Sequence, residues 1–235
     1  MFGWFRSKPA TCPVDPGTRQ WIDTRWAWLT EQFGKTRLTQ STLILPTAEF
    51  FPDDYHGKEA DGRVMLDRVC SFLEIDPRRI ELSFYEDKQG TAGLYQAEED
   101  KFRIWIDVGN LNDPLALIAT ISHELCHVHL LGFGRITTEE EDHEPLTDLL
   151  TVFLGMGIFT ANSVIRESNW THGQLSGWTM GRQGYLCMPE YAYALALYAR
   201  DRHEDSSSWL KHLRLDVRTH FKEAQRFLKE DAQRE

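Results

Sequence analysis

Cysteine is scarce in this sequence and never paired: Cys12, Cys70, Cys126 and Cys187 are the only 4 in 235 residues, and no two form a CxxC. That excludes a disulfide framework and a cysteine-based zinc ribbon, and a chain of this length can bury a core without such staples. Positive charge is also in short supply. Lys plus Arg number 26 against 36 Asp plus Glu, a formal net charge of −10, so neither nucleic acid nor an anionic membrane surface is an expected partner. Long apolar runs are missing as well. The apolar stretch 1–5 is followed by Arg6 and Pro9 and is too short for a secretory signal. The most apolar segment, 146–161, contains Asp148 and falls short of the roughly 20 residues that span a bilayer. The expectation is a cytoplasmic protein; nothing in the pattern bears on oligomeric state.

What is present is ordinary globular material. Hydrophobic residues make up 41% of the chain and aromatic residues 12%, with 8 Trp, enough large side chains to exclude disorder. Asp15-Pro16 opens a segment in which Ile22, Trp26, Leu29 and Phe33 recur at helical spacing up to Gly34, which predicts a helix. Residues 41–47 read as a short strand, and 63–73 as a helix with Leu66, Val69, Cys70 and Leu73 on one face ahead of Asp76-Pro77. Period-two alternation predicts strands at 80–84 and 102–108, with 90–96 supplying a strand between them in a meander. Asp113-Pro114 starts a helix that runs through Leu131 to Gly132, and Glu144-Pro145 a second that reaches Phe159. Residues 169–187, rich in Gly, Trp, Ser and Thr, read as irregular but ordered, and 189–200 as helical. Ser206 to Ser208 can cap a last helix with Leu210, Leu213, Val217, Phe221 and Leu228 in one stripe. Without repeats, linkers or low-complexity tracts, 1–235 is expected to be a single α+β domain, its metal-site core at 80–161 and a helical part at 189–230.

The chemistry sits inside the helix expected from Pro114, as His123-Glu124-Leu125-Cys126-His127. Residues four apart share a helix face, so His123 and His127 can both reach one metal ion at Zn–N distances of about 2 Å, with Glu124 beside them. Their neighbours are apolar, a setting in which ionisable groups are costly unless paired or ligated. The plain alternative is two core histidines satisfied by carboxylates. A catalytic zinc takes three protein ligands and keeps one position open, and candidates for the third follow the acidic loop 139–142 as His143, Glu144 and Asp148. Glu144 and Asp148 are four apart, so one can bind the metal while the other accepts a hydrogen bond from a ligating histidine. Pro145 biases Glu144 toward an N-cap, which leaves the reverse assignment, Asp148 as ligand, open. Cys126 reads as a small buried residue, 139–142 as a solvated loop, and His129 as pointing away from the metal.

The two motifs, His123-Glu-Leu-Cys-His127 and His143-Glu-Pro-Leu-Thr-Asp148, together resemble those of the gluzincin metallopeptidases, the thermolysin-like branch of the zincins. There, HExxH on one helix is completed by the Glu of an ExxxD on the next. The chain is also similar to a compact bacterial zincin. The resemblance covers 102–161; it departs in Pro145, directly after Glu144, and in the short separation of the motifs. It implies a zincin-like α+β fold, with a small antiparallel or mixed sheet packed on the HExxH helix and a following buried helix, and Zn2+ held by His123, His127 and Glu144. Asp148 would be the partner of a ligating histidine, and Glu124 the general base in hydrolysis of a peptide or protein substrate. The strand at 102–108 would then present an edge to which an extended peptide adds. His172, Tyr185, Tyr191 and Tyr193 are the candidates for stabilising an oxyanion. A non-catalytic, metal-stabilised binding or regulatory protein of the same fold is the alternative, distinguished by a metal position closed by a fourth ligand instead of facing a cleft.

Overall fold

The Asp15 carboxylate accepts hydrogen bonds from the Gly17 and Thr18 amides and so starts α1, Pro16–Phe33, which stops at Gly34, where φ is 86°. It buries Ile22, Trp26 and Leu29, the stripe its spacing predicts. This helix opens a computed structural model that describes residues 10–86, 93–97, 101–172, 175–182, 184–204 and 208–233, with backbone alone at 165–172 and 175–182. A short α2, Lys35–Gln40, follows. The strand expected at 41–47 does not form: Ile44 donates one hydrogen bond, to the Gly155 carbonyl at 3.0 Å, and Pro46 has no donor to extend a ladder. Next comes α3, Glu59–Leu73, capped by Glu74 in the left-handed region.

The sheet differs from the expected meander. Its strands are β1 (Ile80–Tyr85), β2 (Gly93–Ala97) and β3 (Phe102–Asp107), in spatial order β1-β3-β2. β1 runs parallel to β3 and β2 antiparallel to it, so this small mixed sheet has β3 inside and β2 at an edge. Phe102, Ile104 and Ile106 of β3 are buried, as the alternation requires.

Asp113 caps α4, Pro114–His127, through the Leu115 and Ala116 amides, with Pro114 in its first turn. A π-helical turn, Val128–Gly132, continues it. The combined 19 residues are apolar and long enough to cross a membrane by composition, and 78% of an 18-residue window within them is buried inside this fold. Leu117, Ile121 and Leu125 have no exposed surface, a burial that contributes about 2 kcal/mol per side chain. The single helix expected from Glu144 to Phe159 is two, α5 (His143–Phe153) and α6 (Gly157–Ser163). Gly155 breaks it with φ +89°, its backbone so close to the Thr42 carbonyl that a Cβ would lie 2.6 Å from that oxygen.

The segment expected to be irregular forms an antiparallel hairpin of β4 (Ile165–His172) and β5 (Leu175–Arg182). Two further helices, α7 (Met188–Asp201) and α8 (Leu215–Asp231), complete the eight α-helices among the described residues. The cap expected at Ser206 to Ser208 is not the start of α8: Ser208 begins a 3-10 turn, Ser208–His212, and Ser206 and Ser207 lie outside the described residues. Val217, Phe221 and Leu228 nonetheless pack as one stripe.

Candidate metal centre

The core position of α4 brings its last turn against the first turn of α5. Glu144 is not the N-cap that Pro145 suggested but lies inside α5; Asp142 holds the cap position, and its carboxylate instead accepts hydrogen bonds from Trp21 and Arg25 of α1. Glu144 is thereby free to face the histidines. His123 Nε2 lies 3.1 Å from His127 Nε2 and 3.1 Å from Glu144 Oε2, and His127 Nε2 lies 3.4 Å from that oxygen. Three donors bound to one tetrahedral ion at about 2.0–2.1 Å sit about 3.3 Å apart, so the spacing suits a metal ion. His123, His127 and Glu144 form a cluster that can hold one.

Proton placement argues the same way. His123 Nδ1–H donates to Asp148 Oδ1 at 2.8 Å. The Thr147 hydroxyl donates to the His143 carbonyl at 2.7 Å, so toward His127 Nδ1, at 3.3 Å, it accepts. Each neutral ring therefore carries its proton on Nδ1 and turns a lone pair at Nε2 toward the other ring and toward Glu144. Such a trio repels itself unless a positive charge sits among it, whether a proton or a metal ion. Burial opposes a charge on His123, but hydrogen bonds to Asp148 and Glu144 outweigh it and raise the pKa well above the usual value. Burial lowers that of His127. Burial likewise opposes ionisation of Glu144, and the two histidines hold its carboxyl far below the carboxylate range nevertheless.

Asp148 is 1% exposed and does more than hold His123. Its Oδ2 accepts from the Tyr185 amide at 2.6 Å and the Leu186 amide at 3.0 Å, pinning the loop after β5 beside the cluster. Burial raises its pKa, and the His123 hydrogen bond more than compensates, so it stays ionised. The Tyr185 ring stacks on His123 with centroids 5.9 Å apart. Glu124 sits differently. It is 5% exposed, no described residue hydrogen-bonds its carboxylate, and burial pushes its pKa up to about 7. Gly93 of β2 packs on it so closely that a Cβ there would lie 2.5 Å from Glu124 Oε1. The cluster and Glu124 open onto a cleft of about 1100 Å³ walled by β2, α4, α5 and the loop at Tyr185.

Not every sequence-derived candidate reaches this site. The Tyr193 hydroxyl donates to Asp23 on α1, at 2.9 Å. Tyr191, 1% exposed, does reach it, its hydroxyl hydrogen-bonding the Asp148 carboxylate, while the His172 side chain lies outside the described residues. His129 turns away and donates from Nε2 to the Leu73 carbonyl at 2.8 Å, and Cys126 is fully buried. The strand expected to offer an edge, β3, is interior; β2 is the edge that lines the cleft. Sequence reasoning missed Thr147, although its position three residues after Glu144 in a helix put it on that residue's face. It also missed Gly93 and the Tyr185 and Leu186 amides, which no motif encodes. No family model, curated protein or solved structure matches the chain.

Proposed function

We propose that this chain is a zinc-dependent peptidase of zincin-like fold, related in its site to the gluzincins, with His123, His127 and Glu144 as ligands. Two imidazoles and one carboxylate are a donor set typical of catalytic zinc, and three ligands leave the remaining position for water or substrate. The observation that carries the reading is Glu124: a buried carboxylate without a hydrogen-bond partner among the described residues, beside the cluster and facing a large cleft. A structural site has no need of such a group, since an unpartnered buried carboxylate costs stability.

Zinc bound there supplies Lewis acidity to the attacking water and the scissile carbonyl. Glu124 takes the proton that water gives up and delivers it to the leaving amine; a pKa near neutrality suits a group that must do both. Asp148 keeps His123 in the tautomer whose Nε2 can ligate. Tyr185, stacked on His123 at the cleft's rim, is the best placed of the tyrosines to meet a developing oxyanion. The edge of β2, not β3, is where an extended peptide would add.

Elemental analysis should find about one zinc per chain, lost in His123→Ala and His127→Ala. Glu124→Gln should keep zinc and thermal stability yet lose cleavage of mixed peptide libraries followed by mass spectrometry. Cleavage that Glu124→Gln matches, or none by zinc-loaded wild type, would refute the proposal, the latter in favour of a binding protein.

A further inference from the structure

Behind the metal cluster runs a chain of hydroxyl groups that the chemistry proposed above does not use. Thr151 of α5, Thr160 of α6 and Tyr191 of α7 are all buried, as is Asp148. Hydroxyls are costly to bury unless they are hydrogen-bonded, and each of these has partners. The Tyr191 hydroxyl bonds both the Asp148 carboxylate and the Thr160 hydroxyl. Thr160 Oγ1 lies 2.9 Å from Thr151 Oγ1, which donates to the Asp148 carbonyl at 2.7 Å. Three helices are thereby joined at one carboxylate.

The protons give the chain a direction. An ionised carboxylate can only accept, so the phenol gives its single proton to Asp148, and its oxygen accepts from Thr160. With the Thr160 proton committed in this way, Thr151 supplies the proton between the two threonines and shares it with the Asp148 carbonyl. Each hydroxyl points to the next and the run ends on Asp148, an order in which hydrogen bonds polarise and strengthen one another. The phenol joins His123 Nδ1–H and the Tyr185 and Leu186 amides as donors to this carboxylate, which has roughly four lone-pair sites to offer. Gly184 closes the space around it: φ is +87°, and a Cβ there would lie 3.1 Å from Asp148 Oδ2 and 3.5 Å from the Tyr191 oxygen. No rotation of the carboxylate keeps all of these bonds, so Oδ1 stays aimed at His123.

We infer, on the zinc-site reading above, that Tyr191 is a positioning residue: it acts through Asp148 to hold His123 with Nδ1 protonated and Nε2 turned to the metal, and Thr160 and Thr151 hold Tyr191 in turn. Tyr191→Phe keeps the ring and removes only the oxygen. Chelator competition should show its zinc affinity about 10-fold below wild type, the low end of the loss for a group that supports a ligand, and Thr160→Val should show a smaller loss. In an Asp148→Ala background Tyr191→Phe should cost no further affinity, because both changes cut the same path to His123. Ring-proton exchange, read by NMR on metal-free protein carrying isotope-labelled histidine, separates positioning from general loosening. The His123 Nδ1–H should exchange faster with solvent in Tyr191→Phe, while the buried His129 Nε2–H, bonded to the Leu73 carbonyl, keeps its wild-type rate. Wild-type zinc affinity in Tyr191→Phe, an equal loss in both backgrounds, or exchange quickened alike at both rings would overturn the inference and leave the zinc site standing. Failure of the wild type to take up zinc would remove that site, and the inference with it.

Discussion

Asp148 separates two roles that most substitutions would confuse, because its two oxygens face different partners. Oδ1 holds His123 Nδ1–H at 2.8 Å, and Oδ2 holds the Tyr185 and Leu186 amides at 2.6 and 3.0 Å. Asp148→Ala strands two backbone donors, at about 1–3 kcal/mol each, and frees the ring of His123. The sum is about 3–5 kcal/mol, which for a domain of this size lowers Tm by about 10 °C. Asp148→Asn should behave otherwise. If its amide oxygen takes the place of Oδ2, the loop stays anchored, while its NH2 faces His123 Nδ1 and turns that nitrogen into an acceptor. The ring proton then moves to Nε2, the atom that would ligate. Stability of the metal-free protein should fall by less than half as much as in Asp148→Ala, whereas zinc affinity should fall about 10–100-fold in both. Thermal unfolding with a chelator present measures the first quantity and chelator competition the second. Wild-type zinc affinity in Asp148→Asn would refute the tautomer argument. Abolished binding in Asp148→Ala with intact binding in Glu144→Ala would exchange the roles of the two carboxylates.

Two further outcomes follow from other positions. Gly93→Ala places a methyl group 2.5 Å from Glu124 Oε1 and 2.8 Å from Thr120 Cγ2, so it should destabilise the protein by about 1–3 kcal/mol, keep zinc and slow turnover through displaced Glu124. The destabilisation should shrink markedly when Glu124 is also Ala, and an equal cost in both backgrounds would show that the two residues do not touch. Burial lowers the pKa of His129 to about 4, so between that value and the ordinary one near 6.5 the unfolded chain binds a proton the folded chain does not. Stability should then drop as pH falls through this window, by up to about 3 kcal/mol from this residue. Chemical denaturation at pH 7 and 4.5 with a chelator present should show that drop in wild type and a smaller one in His129→Gln, and equal drops would clear His129 of the effect.

The elements legible in the sequence were those fixed by local chemistry. Asp15-Pro16 and Asp113-Pro114 state where a helix begins regardless of what packs on it, and the spacing of Ile22, Trp26 and Leu29 states which face goes inward. The HExxH and ExxxD spacings belong to the same category, since helical geometry alone puts His123 with His127 and Glu144 with Asp148. The misreadings came where a distant backbone decides. The apolar rhythm runs unbroken past Gly155, and the break there reflects the Thr42 carbonyl, which sits against it from more than a hundred residues away. Alternation identifies β1 and β3 as strands but is blind to β1 pairing parallel with β3 and leaving β2 at the edge.

The site divides along the same line. Side chains aimed at a shared point leave a pattern of residue types, and His123, His127, Glu144 and Asp148 were found through it. What surrounds them is contributed by main chain: the Tyr185 and Leu186 amides on Asp148, and the bare Cα of Gly93 against Glu124. An amide can be supplied by almost any residue, so it leaves no trace in the sequence. A glycine leaves one only as a missing side chain, which reads as a turn or a weak strand until the opposing carboxylate is seen. A cluster of side chains able to hold a metal ion is thus open to inference from one chain, whereas the main-chain groups that surround it require the fold.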